Sequence, residues 1–86
     1  MPQISRFFGI IISMYFDDHH PSHFHARYAE HEAEIRIDDL SILEGSLPPR
    51  ALGLVLEWGY LHQSELQSNW KRIEQGLQPL KIEPLQ

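Results

Sequence analysis

The hydrophobic period of the chain changes once, near Gly45, and that switch confines the fold to strands followed by helices. Residues 4–16 are rich in Ile, Phe and Tyr, and residues 7–12 are apolar on both faces, which predicts one long central strand. Residues 17–22 collect two aspartates, two histidines, a proline and a serine, the composition of a loop. Residues 23–28 then alternate, with His23, His25 and Arg27 on one face and Phe24, Ala26 and Tyr28 on the other. Residues 32–38 alternate more cleanly, placing Ala33, Ile35 and Ile37 inward and Glu32, Glu34, Arg36 and Asp38 outward. A short strand at 42–44 completes an antiparallel meander of three to four strands.

After Gly45, Ser46 reads as an N-cap, and Pro48 and Pro49 suit a first helical turn, where their missing N–H groups cost nothing. From Arg50, Leu52, Val55, Leu56, Gly59 and His62 recur at helical spacing, with Trp58 and Leu61 widening the stripe. Gly53 and Gly59 weaken this helix and leave room for close packing on the sheet. A break at Gln63 or Ser64 precedes a second helix over 65–75, ended by Gly76. Residues 79–84 form a tail in which Leu80 and Ile82 can serve as a short C-terminal edge strand. The fold class is therefore α+β: the meander, then two helices packed on one face.

Eighty-six residues make a single domain, 1–86. The chain has no cysteine, which excludes disulfides, thiolate metal sites and a cysteine nucleophile, and makes the cytoplasm the default compartment. The longest apolar run, residues 7–16, is too short to cross a bilayer, so no membrane role is expected. Net charge is −5, and all of it falls in residues 29–45, where six acids meet one base; the flanking segments are each neutral. Broad electrostatic capture of nucleic acid is disfavoured by that balance. A local basic site remains compatible with it.

Five of the six histidines lie between positions 19 and 31. His23 and His25 are two apart on one strand face, so their rings converge from Cα atoms roughly 7 Å apart. His19, on the preceding loop, can fold over the same point, and Asp17 or Asp18 can supply an oxygen or orient a ring. Three imidazoles with an open fourth position suit zinc or another late divalent metal, with His19, His23, His25 and Asp18 as ligands. Without metal, the same histidines can act as general acid and base, with Arg27 holding a phosphate. A merely polar turn followed by a half-exposed strand is the third reading.

Outside this stretch, Trp58 and His62 share a helix face, and His62 either completes the histidine site or complements the helix dipole. Trp70, Lys71 and Arg72 read either as an aromatic-basic patch or as an ordinary amphipathic face. The acidic residues from Glu30 to Asp39 read as a solvated face or as a dock for a basic partner.

With those residues in view, the chain resembles a small bacterial family, domain of unknown function 4160. The resemblance rests on Pro2-Gln3-Ile4-Ser5-Arg6-Phe7-Phe8-Gly9-Ile10, on Asp18-His19-His20-Pro21-Ser22-His23-Phe24-His25-Ala26-Arg27-Tyr28, and on Glu44-Gly45-Ser46-Leu47-Pro48-Pro49-Arg50. It continues through Glu57-Trp58, His62, Glu65-Leu66 and Asn69-Trp70. Ser22 stands where the family pattern has a second proline, and His20 sits at a variable position. The resemblance implies a toxin component of a bacterial two-protein toxin–antitoxin module, a cognate small antitoxin as partner, and a site at His19, His23, His25 and Arg27. Small size, clustered histidines and the lack of a cofactor fingerprint fit a candidate ribonuclease acting on RNA through those four residues. The alternative is a non-catalytic metal-binding or regulatory interaction module.

Overall fold

Gly9 divides the long apolar run. In the computed structural model, which describes residues 2–16 and 19–86, the segment expected as one strand is a hairpin of β1 (Gln3–Phe7) and β2 (Ile10–Ser13). Phe8 and Gly9 sit at φ 50° and 79°. Two consecutive left-handed residues make a primed turn, whose twist matches that of the flanking strands. A continuous apolar run has no period for a turn to interrupt, and only the glycine marked it.

The sheet continues through β3 (His23–Tyr28), β4 (His31–Arg36) and β5 (Ile42–Gly45), in the order β1-β2-β3-β4-β5 with every neighbour antiparallel. The meander thus has five strands, not three or four. One face carries Phe7, Ile10, Ile12, Phe24, Ala26, Ala33 and Ile35, all buried. Against it lies α1 (Pro49–Leu61), burying Ala51, Val55, Trp58 and Gly59. The Trp58 ring is 5.5 Å from Phe7 and meets Phe24 edge-on at 5.7 Å. A Cβ on Gly59 would stand 3.0 Å from Leu40 Cδ2, so this glycine does permit close approach, whereas Gly53 faces open space. Leu61 is exposed and lies outside the stripe. Pro48, not Ser46, occupies the N-cap position, with no side-chain cap. Ser46 instead donates its backbone N–H to Glu32 O, extending the β4–β5 ladder past the expected helix start.

The second helix, α2 (Gln63–Glu74), follows His62 with no loop, two residues earlier than its sequence pattern suggests. Gln63 donates its side-chain amide to the carbonyls of Ile37 and Asp38, tying the helix start to the end of β4. Leu66, Trp70 and Ile73 enter the core, and the Trp70 ring also meets those of His20 and His23. Residues 77–86 form no strand. They strap the β1 edge, with Ile82 N–H donating to Ile4 O, Lys81 Nζ to Gln3 O, and Trp58 Nε1 to Glu83 O. Among the described residues, no helix is long and apolar enough to cross a membrane.

Candidate metal centre

The outer face of the sheet is where the histidines converge. A tight turn at Ala29 and Glu30 pairs Tyr28 with His31, which fixes the rest of the register: Arg27 opposite Glu32, His25 opposite Glu34, His23 opposite Arg36. Since apolar Phe24, Ala26, Ala33 and Ile35 claim the inner face, all six polar residues emerge together on the other. From β2, Ser13 stands opposite His25 and Ile11 opposite Arg27.

Within this layer His23, His25 and Glu34 each offer a ligand atom, and the three atoms lie within 4.8 Å of one another. His23 Nε2 and Glu34 Oε1 are 3.6 Å apart. That is too long for a good hydrogen bond. It suits two ligands of one tetrahedral ion, which at about 2.0–2.2 Å from the metal stand roughly 3.4 Å apart. The His23 and His25 rings have their centroids 5.2 Å apart.

The atoms behind the rings favour the same arrangement. His23 Nδ1 lies 2.7 Å from the carbonyl oxygen of Pro21, an acceptor only, so Nδ1 carries the proton and Nε2 faces Glu34. His25 Nδ1 lies 3.4 Å from Glu32 Oε2, another acceptor, leaving Nε2 as its remaining ring nitrogen. A carbonyl or carboxylate behind each imidazole is how metal-binding histidines are held in tautomer and orientation. The setting is partly dry: His23 is fully buried, and the side chains of His25 and Glu34 are 13% and 24% exposed. Trp70 covers His23 at 5.5 Å, and Tyr15 stands edge-on to His25 at 4.5 Å.

The remaining residues singled out in the sequence fall around this centre or away from it. His19 is exposed, its ring 5.6 Å from that of His23, at the rim of the cluster. Asp17 and Asp18 lie outside the described residues. Arg27 is exposed on the same face, two residues beyond His25. His20 pairs with Glu74 at 3.0 Å, and His31 with Glu30 at 3.4 Å. His62 belongs to the helix junction, where its ring lies tilted against Trp58 at 5.5 Å and pairs with Glu65 at 2.5 Å, so it does not complete the site. Trp70 is buried and presents no open face for a base.

Glu34, Glu32, Tyr15 and Trp70 were not foreseen. Glu34 looked like part of a solvated acidic face. The two-residue turn was the signal that would have placed it opposite His25. Trp70 comes from the far end of the chain, and no local pattern links it to His23.

Beside the cluster, Gln3, Ile11, Ser13, Tyr15, His25, Arg27 and Glu32 line a cleft of about 190 Å³. His25 is shared between the two. The family model described as Domain of unknown function (DUF4160) matches residues 9–71, a span that holds every residue of the cluster. The chain belongs to the DUF4160 family. The DUF4160 match begins at the β1–β2 turn and stops inside α2, so β1 and the C-terminal strap lie outside it. No curated protein and no solved structure matches the chain.

Proposed function

We propose that this DUF4160 protein binds one late divalent metal ion, zinc above all, through His23, His25 and Glu34. The observation that carries the reading is the convergence of three ligand atoms within 4.8 Å, with an acceptor behind each imidazole. Two histidines and a glutamate form a ligand set used by catalytic zinc, which keeps a further position open. When bound there, the ion supplies Lewis-acid polarisation of an oxygen on its open side. His23 and His25 hold it as neutral imidazoles; Glu32 orients His25, and Trp70 and Tyr15 restrict water. Elemental analysis with zinc titration of untagged protein tests this. One equivalent in the wild type should fall to none in the His23→Ala, His25→Ala double variant, with circular dichroism reporting the fold. A folded wild type that takes up no zinc or other transition metal sinks the proposal.

A more specific reading adds Arg27, whose cation lies on the same face and lines the cleft that His25 also lines. In it the protein is the toxin of a two-protein bacterial module, acting in the cytoplasm on RNA as a ribonuclease. His19, His23, His25 and Arg27 carry the reaction, and a cognate small antitoxin masks it. Inducing the protein with and without its neighbouring gene tests that role. Arrest relieved by the neighbour supports it; unchanged growth in both strains removes the toxin role and leaves the metal site standing.

A further inference from the structure

The cleft beside His25 has a charge balance that depends on the ion. Among the described residues Arg27 is the one cation lining it, and its cross-strand partner Glu32 turns its carboxylate to His25 instead. Arg27 therefore has no ion pair among the described residues. Among the described residues that line it, Arg27 and Glu32 are the charged side chains, and the Glu34 carboxylate belongs to the adjoining cluster. A divalent ion on the cluster adds two positive charges beside Arg27, and a bound cation is then the largest local charge. The rest of the polar lining favours an acceptor-rich ligand: the Gln3 amide and the Ser13 hydroxyl both offer donors, and Ser13 sits directly opposite His25.

We infer that the metal-loaded protein captures a phosphodiester anion in this cleft, between the ion and the Arg27 guanidinium. The inference rests on the metal reading above. His25 and Arg27 stand two apart on one strand face, with Cα atoms roughly 7 Å apart. One non-bridging oxygen of the diester then faces the ion while the other meets the arginine fork. The ester oxygens accept from Ser13 and Gln3. A carboxylate presents only two oxygens and leaves those donors unmet. Because the ion's positive charge attracts the anion, the anion and the metal bind cooperatively, and each must strengthen the other by the same factor.

The experiment uses dimethyl phosphate as the probe, with calorimetry on the full chain and the visible spectrum of the cobalt-loaded protein as a second readout. The zinc-loaded wild type should bind the probe, and the metal-free protein should bind it at least tenfold more weakly. Saturating probe should tighten zinc by that same factor. Arg27→Gln should keep zinc affinity within about twofold and lose at least tenfold in probe affinity; Arg27→Lys should recover part of it. The cobalt spectrum should shift on adding the probe. Zinc binding without any probe binding overturns this inference alone. So does equal probe affinity with and without metal, equal affinity in Arg27→Gln, or acetate binding as tightly as dimethyl phosphate. Failure of the folded wild type to bind either metal overturns the metal reading, and this inference with it.

Discussion

The bond from His23 Nδ1 to the Pro21 carbonyl selects the tautomer of a buried ring, and Glu32 does similar work behind the more accessible His25. Replacing Glu32 by Gln keeps the shape and removes the carboxylate. Zinc affinity should fall about 10–100-fold, as loss of an outer-shell partner does, with stability unchanged in a urea titration. Unchanged affinity would mean that Glu32 does not orient His25. Asp39 shows a different effect. Its carboxyl is held below the ordinary aspartate range, first by the hydroxyl of Ser41 and then by the Ser41 N–H. A folded pKa below the unfolded one gives stability that is present above the ordinary carboxylate range and lost as pH falls through the folded value. Ser41→Ala should therefore move the Asp39 titration upward in an NMR pH series.

At the scale of elements, two turns set the sheet's geometry. Phe8 occupies a left-handed position with a 60% exposed side chain, where asparagine is the favoured residue. Phe8→Asn should stabilise the β1–β2 hairpin by about 0.5–1 kcal/mol, read from thermal unfolding. Gly45 is the opposite case. At φ +79° a Cβ there would lie 2.1 Å from Glu32 O, the atom that accepts from Ser46 N–H. Gly45→Ala should cost at least about 2 kcal/mol through left-handed strain and loss of that bond. The same change displaces β5 from β4 and so disturbs Glu34, whose cross-strand neighbour is Glu44. Weaker zinc binding should accompany the loss of stability.

Over the whole molecule, the C-terminal strap closes the β1 edge and anchors α2. Asn69 is 2% exposed and exchanges two hydrogen bonds with the Leu80 backbone, at 2.9 and 2.8 Å. Truncation after residue 79 would orphan the Asn69 amide and Trp58 Nε1, bare Ile4 and uncover a strand edge. A loss of about 3 kcal/mol or more, with a tendency to aggregate, should appear in urea unfolding and light scattering. Metal acts in the other direction. Free zinc at a hundred times its Kd should add about 2.7 kcal/mol by mass action, and chelator should remove it.

Alternation alone placed His23, His25 and Arg27 on one face and Phe24 and Ala26 on the other, because a strand's period of two admits no other outcome. The switch near Gly45 likewise separated the sheet from the helices, since an apolar stripe at helical spacing cannot lie flat in a strand. The hairpin inside the long apolar run was hidden, as a stretch apolar on both faces carries no period for a turn to break. The third member of the cluster was hidden for another reason. Glu34 joins His25 through hairpin register, and Trp70 covers His23 through the docking of a helix some fifty residues away. Periodicity within one segment says which side of that segment is wet. Which wet side chains then face one another is decided by strand pairing and helix packing, where burying Trp58, Phe24 and Val55 outweighs anything the local pattern records.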